Sequence, residues 1–313
     1  MNLNVFLISI ILSIIITPLI QKIFLIYKKY DPINHRSSHS GIATRTGGIS
    51  SFIVIFLISS YYYLQSVEVY DYSLLVPLGT MFVVGVYDDF YNANFKLKFL
   101  LQIIVAKMLI DQGFVIDNFY GIFNLDEITR IGSQLFTIFV FIIIVNSINF
   151  IDGVDGLAIT EIIKIFLIFI FFTNQDPSLN FLAIITSGSL LPLYFFNYKR
   201  EKKIFLGDGG SLFLGTLVCI FTFNFLNSNF EFNISFNKPL YSILILLYPL
   251  TDLLRVFVLR IHKKKSPFKP DKNHLHHILL KKNIQHWFIA LLLPICFLLI
   301  SIIIFLSVKS ILN

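Results

Sequence analysis

Long apolar runs alternate with short polar segments along almost the whole chain. A helix needs about 20 predominantly apolar residues to cross a hydrocarbon core. Ten stretches qualify as candidates: residues 4–26, 49–65, 73–88, 97–113, 133–151, 157–173, 180–197, 210–227, 239–260 and 286–308. Lys107 and Lys164 interrupt two of them, 97–113 and 157–173, which are the weakest candidates of the set for that reason. Segment 114–131 breaks the pattern. It alternates Val115, Asp117 and Phe119 before the turn-prone Tyr120-Gly121, and so predicts a short β-hairpin on one face of the membrane. The first run lacks a small-residue cleavage pattern and reads as an anchor.

Composition turns this pattern into a fold class. The 313 residues are 56% hydrophobic, include 35 Phe and are only 14% charged, where a soluble domain runs nearer half apolar and a quarter charged. The expectation is an all-α integral membrane protein: one polytopic domain over residues 1–313, with about ten transmembrane helices. The formal charge of +7 raises nucleic acid or anionic lipid as partners, and its distribution decides between them. Lys28, Lys29, Arg36 and Arg45; Lys96 and Lys98; Lys199, Arg200, Lys202 and Lys203; and eight more from Arg260 to Lys282 fall in alternate loops. The intervening loops and the C-terminus hold only Arg130, Lys238 and Lys309. Positive loops stay cytoplasmic, so both termini are expected outside and the hairpin on the outer face. The lipid bilayer accounts for the charge, and no nucleic acid is expected. Cys219 and Cys296 both lie in apolar runs and read as small core residues.

Ionisable groups at membrane depth are costly and usually functional. Asp88-Asp89 close the third run. After the fifth comes Asn146-x-x-Asn149-x-x-Asp152-Gly-x-Asp155-Gly-Leu-Ala, and before the eighth Gly207-Asp208-Gly209-Gly210-Ser211. Asp252 and Arg255 lie three apart in the ninth, and the last basic loop carries Ser266-Pro-Phe, Pro270-Asp271 and His274-Leu-His276-His277. All five clusters fall on the side that the Lys/Arg distribution marks as cytoplasmic. Blander readings stand beside the functional ones. A lone Asp155 or Asp271 can be a helix cap, Asn146 and Asn149 can hydrogen-bond across helices, and Asp252–Arg255 can be an ion pair with no further role. Two adjacent carboxylates repel each other unless a cation or a base role occupies them, so Asp88–Asp89 is the hardest to read as structural.

Carboxylate and amide oxygens suit Mg²⁺, and no Cys/His spacing resembles a zinc site. The glycine-rich turn opening a helix at 207–211 offers backbone N–H groups to an anion, and nearby His and Lys residues suit phosphate oxygens. Together these predict a diphosphate substrate handled by positioning and charge neutralisation, with a lipid as the second reactant.

At these residues the chain resembles the polyprenyl-phosphate N-acetylhexosamine-1-phosphate transferases, in order, from about residue 31 to 286. The His-Leu-His-His with Ser-Pro-Phe is similar to the branch that makes undecaprenyl-diphospho-GlcNAc, rather than the branch using UDP-MurNAc-pentapeptide, which usually shows three consecutive histidines. The resemblance implies a bacterial inner-membrane enzyme with a cytoplasmic active-site groove, Mg²⁺ (or Mn²⁺) as cofactor, and UDP-N-acetylhexosamine and undecaprenyl phosphate as substrates. It assigns the metal to Asp208 and Asn149, and catalysis to Asp88, Asp89, Asp152 and Asp155, with Asp88 the base toward the lipid phosphate. It assigns substrate contacts to Arg36, Arg45, Lys98, Asn146, His274, His276 and His277. The reaction it implies is attack of the lipid phosphate on the β-phosphorus with release of UMP. Which UDP-sugar is used, and whether the chain works as a homodimer, stay open at this stage. So does a reading from another class, a transporter or flippase, which predicts carboxylates at the bilayer midplane. One loop departs from the pattern. Ile42-Ala43-Thr44 stands where the family carries Pro-Thr-Pro, and the proline of Asp31-Pro32-Ile33-Asn34 comes one place early, so this loop is expected to be less rigid.

Overall fold

Each of the ten apolar stretches folds as helix, and the polar interruptions fall at helix ends. The structure is a computed structural model that describes residues 2–31, 42–119, 128–172, 177–228, 238–266 and 273–312. The helices are α1 (Asn2–Ile26), α2 (Gly47–Leu64), α3 (Leu75–Tyr91), α4 (Phe95–Asp111), α5 (Arg130–Ile151), α6 (Leu157–Phe172), α7 (Pro177–Asn197), α8 (Gly207–Asn227), α9 (Lys238–Ile245), α10 (Leu247–His262), α11 (Leu275–Lys281) and α12 (His286–Leu312). Among the described residues, seven are long and apolar enough to cross a membrane, or eight if the bent pair α9–α10 is one span. The other two expected stretches, α4 and α6, are apolar helices of 17 and 16 described residues, just under the length of the seven.

The ninth stretch, expected as one continuous span, is broken at Leu246 by 78°. Pro249 gives the physical reason. It has no N–H for the carbonyl of Ile245, and its ring collides with that carbonyl in a continuous helix. The helix therefore stops at Ile245 and restarts at Leu247.

Helix α8 is the axis of the bundle. Nearly all of its residues are buried, and it packs against α3, α5, α2 and α6. By contrast α1 and α12 expose much apolar surface, as helices facing lipid do. The α1 seam is polar and small: Ser9, Ser13, Thr17 and Gln21 recur every fourth residue and are buried. Ser13 donates to the Ser189 carbonyl at 2.7 Å and Thr17 to Ser50 at 3.0 Å. Small and hydroxylated residues at such seams let helices approach closely in lipid.

Two short strands were not legible in the sequence. β1 (Ala43–Thr44) pairs in parallel with β2 (Lys203–Ile204), with Ala43 opposite Lys203 and Thr44 opposite Ile204. Gln21 of α1 donates to the Lys202 carbonyl at 2.8 Å and clips the same junction. The absence of proline at 42 and 44 therefore does not loosen residues 43–44; ladder bonds and burial fix them instead. Around the expected hairpin, the Ile128 N–H donates to the Asp117 carbonyl at 3.0 Å, and the turn at 120–127 lies outside the described residues.

Candidate active site

The polar clusters meet at one end of the bundle because successive helices alternate in direction. The C-terminal turn of α3, the N-terminal turn of α4, the C-terminal turn of α5 and the N-terminus of α8 all open there. The α3–α4 turn is set by two asparagines. Asn92 ends α3 in the left-handed region at φ 50°, and Asn94 caps α4 by accepting from the Lys96 N–H at 3.0 Å. This tight turn places Lys98 back over Asp88.

Lys98 Nζ lies 2.5 Å from Asp88 Oδ2 and 2.7 Å from Asp208 Oδ2, so one ammonium bridges two carboxylates from different helices. The second Asp88 oxygen accepts the Ala93 N–H at 2.8 Å. The second Asp208 oxygen accepts from Asn149 Nδ2 at 3.1 Å, and the same amide donates to Ser211 Oγ at 2.8 Å. Asp89 is used differently. Its two oxygens accept the backbone N–H groups of Asp208 at 3.0 Å and Gly209 at 2.9 Å, and Arg45 Nη1 adds a contact at 3.2 Å. The N-terminus of α8, expected to receive a substrate anion, is thus already occupied by the Asp89 carboxylate. Arg45 also holds Asp31 at 2.6 Å.

Glycine makes this convergence possible. Gly207 has φ +75°, and a Cβ there would meet Asp89 Oδ2 at 2.7 Å. On α3, a Cβ at Gly85 would lie 2.1 Å from the Asp208 carbonyl oxygen. Absence of a side chain at these two positions lets α3 touch the first turn of α8.

Asp152 and Asp155 sit in the turn between α5 and α6. Desolvation first, and then the carboxylates of Asp208 and Asp89, hold the Asp152 carboxyl well above the ordinary range. Asp155 is buried and tied down. Lys203 Nζ contacts Oδ2, His286 Nδ1 lies 3.1 Å from the same oxygen, and Tyr198 Oη donates to the Asp155 carbonyl at 2.9 Å. Burial alone would raise its pKa; the bonds from His286 and Lys203 outweigh it and hold the carboxyl below the usual range. Asn146 lies one turn deeper than Asn149 and bonds to Gln102 of α4 at 2.9 Å, the interhelical role that the sequence left open for it.

The histidines stack beside this turn. His274 and His276 have ring centroids 5.5 Å apart, and those of His276 and His277 are 4.3 Å apart. Phe150, next to Asn149, lies 5.5 Å from His274, and a Cβ on Gly153 would meet His276 Nε2 at 2.6 Å. His276 is fully buried, with neither ring nitrogen hydrogen-bonded. Burial, and then the neighbouring His277, push its pKa down to about 3. Its imidazole is therefore neutral at pH 7 and offers one donor and one acceptor rather than a charge. His274 is oriented by Asp252 of α10, whose Oδ2 lies 2.8 Å from Nδ1. Arg36, Pro267, Phe268, Pro270 and Asp271 lie outside the described residues. The sequence reading missed Gln102, Lys203 and His286. They are single residues outside the acidic motifs, and their only signal is polarity beside or within an apolar run.

Among the described residues no group of three or more His, Cys, Asp or Glu side chains is arranged to hold a metal. The donor set still suits Mg²⁺, which commonly takes one or two carboxylates and completes its shell with water and substrate phosphate. Asp88 and Asp208 already converge on one cationic group, the Lys98 ammonium.

The family model described as glycosyl transferase family 4 matches residues 72–225, from the start of the α3 span to α8. The chain is 31% identical over 287 residues to a Bacillus subtilis (strain 168) protein described as a probable undecaprenyl-phosphate N-acetylglucosaminyl 1-phosphate transferase, covering 90% of this chain and 78% of that one. It is 32% identical to the undecaprenyl-phosphate alpha-N-acetylglucosaminyl 1-phosphate transferase of Pasteurella multocida (strain Pm70), over 84% of this chain and 73% of that one. The protein of the same description from Haemophilus influenzae (strain ATCC 51907 / DSM 11121 / KW20 / Rd) is 30% identical, over 80% of this chain and 71% of its own.

Proposed function

Because this chain belongs to glycosyl transferase family 4, we propose that its carboxylate cluster transfers GlcNAc-1-phosphate from UDP-GlcNAc to undecaprenyl phosphate at the cytoplasmic face of a bacterial inner membrane. The relatives' shared description supports the acceptor and the sugar. The observation that carries the reading is the Lys98 bridge between Asp88 and Asp208, at the end of the bundle that also carries the basic loops. A transporter would want its carboxylates at mid-depth.

The reaction joins an oxygen of the lipid phosphate to the β-phosphorus of the nucleotide sugar, and the bond from that phosphorus to the bridging oxygen breaks. UMP leaves with that oxygen and its electron pair. Asp88 is the carboxylate available to take the proton of the lipid phosphate, since its oxygens face Lys98, the Asp208 carboxyl and a single backbone N–H, where both oxygens of Asp89 are taken by the α8 N–H groups. Lys98 is poised to move from the carboxylates to the incoming diphosphate. Asp208 and Asn149 would hold Mg²⁺, which supplies charge neutralisation at the diphosphate when bound. Asp89 keeps the start of α8, and with it Asp208, in place. His276, as a neutral group, supplies hydrogen bonds to the nucleotide side.

Purified chain in lipid nanodiscs should release UMP from UDP-GlcNAc only with undecaprenyl phosphate and Mg²⁺, and more slowly from other UDP-sugars. Asp208→Asn should lower turnover on the order of a hundredfold or more while the protein still folds. Retention of most activity with unchanged Mg²⁺ dependence would refute the assignment of Asp208.

A further inference from the structure

We propose that Asp252 is a positioning residue, fixing the imidazole of His274 so that its Nε2 edge meets the nucleotide diphosphate; this rests on the transferase reading above. Asp252 is fully buried on α10, and three donors take its carboxylate. Oδ2 faces His274 Nδ1 at 2.8 Å. Oδ1 accepts the Leu275 N–H at 2.9 Å and Arg255 Nη2 at 3.0 Å. Arg255 also donates to the Asn273 carbonyl. An ionised carboxylate only accepts, so Nδ1 of His274 is the donor and Nε2 is the nitrogen left for a ligand. Three of its roughly four acceptor sites are taken and the residue is fully buried, so Asp252 acts on a ligand through His274 and not by contact.

The wider fold explains why this residue reaches that far. The break before α10 turns Asp252 away from the line of α9 and toward the start of α11. There, one carboxylate holds both the first N–H of α11 and the ring of the residue before it. His274 in turn lies against Phe150, the neighbour of the Asn149 that bonds Asp208. A side chain held at its near ring nitrogen by a buried carboxylate loses little rotamer freedom on meeting a ligand at the other. This is how supporting residues act on ligand affinity. Among the described residues, the charged and titratable groups around the His274 ring are Asp252, Arg255, His276 and His277.

A double-mutant cycle tests this. UMP release by full-length chain in nanodiscs is measured against UDP-GlcNAc concentration, at saturating undecaprenyl phosphate, for wild type, Asp252→Asn, His274→Ala and the double variant. Asn keeps an oxygen for the Leu275 N–H but loses the charge facing His274. The expected result is a rise in KM of about tenfold or more for Asp252→Asn, the scale of one charge-assisted hydrogen bond, with a smaller change in kcat. The double variant should be no worse than His274→Ala alone. Losses that multiply, or an unchanged KM in Asp252→Asn, would overturn the proposal and leave Asp252 a helix cap. If Asp252→Asn does not fold, Asp252→Ser, which retains a capping oxygen, carries the same cycle. A wild-type chain that turns over no UDP-sugar would instead refute the transferase reading. The UDP-induced rise in melting midpoint across the same four variants then reads the coupling, and the absence of any such rise in wild type overturns the inference.

Discussion

Asp88 holds one oxygen on Lys98 and the other on the Ala93 N–H, while both oxygens of its neighbour Asp89 take backbone N–H groups of α8. The two should respond differently to the same substitution. A base acts in the transition state, so Asp88→Asn should lower kcat more than it raises KM. The second pKa of a phosphate monoester is near 6, so the lipid arrives already ionised at higher pH. The Asp88→Asn defect in UMP release should therefore shrink between about pH 6 and pH 9. Asp89→Asn turns an amide NH₂ toward the α8 N–H groups. It should lower the melting midpoint together with activity, with no recovery at high pH; a pH-independent loss in Asp88→Asn would remove the base role. His276 gives a second pH test. Its folded pKa, near 3, lies below the ordinary value of about 6.5, so between these values the unfolded chain binds a proton that the folded chain does not. Stability from this group is full above about pH 6.5 and falls as pH drops through that window. The melting midpoint of wild type should decline from pH 7 to 5 more steeply than that of His276→Gln, and parallel curves would count against a buried neutral imidazole.

At the level of elements, the site depends on how closely α3 and α8 approach. Gly85→Ala puts a Cβ within 2.1 Å of the Asp208 carbonyl. Overpacking of this kind costs about 1–3 kcal/mol, and here it displaces Asp208, the residue proposed to hold Mg²⁺. The expected outcome is a lower melting midpoint and a larger loss of UMP release than the stability change alone explains; an active, equally stable variant would show that the contact does not matter. The α5–α6 turn is fastened by Asp155 to Lys203 beside β2 and to His286 at the start of α12. Asp155→Ala strands the part-buried Lys203 ammonium, a change that costs about 3 kcal/mol where a buried pair is broken. Thermal melting of that variant and of Lys203→Met separates the cost of the lone charge from the loss of the pair.

For the whole molecule, the coincidence of basic loops and acidic motifs at one end ties orientation to function. Lys282 and Glu68 are both exposed, at opposite ends of the bundle. With the site cytoplasmic, a membrane-impermeant maleimide added to intact cells should label Glu68→Cys and spare Lys282→Cys until the cells are opened. The reverse pattern would invert the site along with the topology.

The sequence by itself determined the membrane class, the positions of the helices, the single end at which charge gathers and the acidic motifs themselves. Hydrophobic run length and Lys/Arg placement are local properties read directly along the chain. Only the tertiary structure decided which groups each carboxylate meets. The family resemblance separated Asp88 from Asp89 by expected role, and only the approach of α8 shows their different partners, the first N–H groups of α8 for Asp89 and Lys98 for Asp88. The same holds for Asp155, which the family resemblance grouped with the catalytic set and which packing surrounds with Lys203, His286 and Tyr198. The 43–44 to 203–204 strand pair and the Asp252–His274 contact join residues distant in sequence. Such pairings depend on where helices cross, and helix crossings follow from small residues such as Gly85 whose role shows only when the neighbouring backbone is in place.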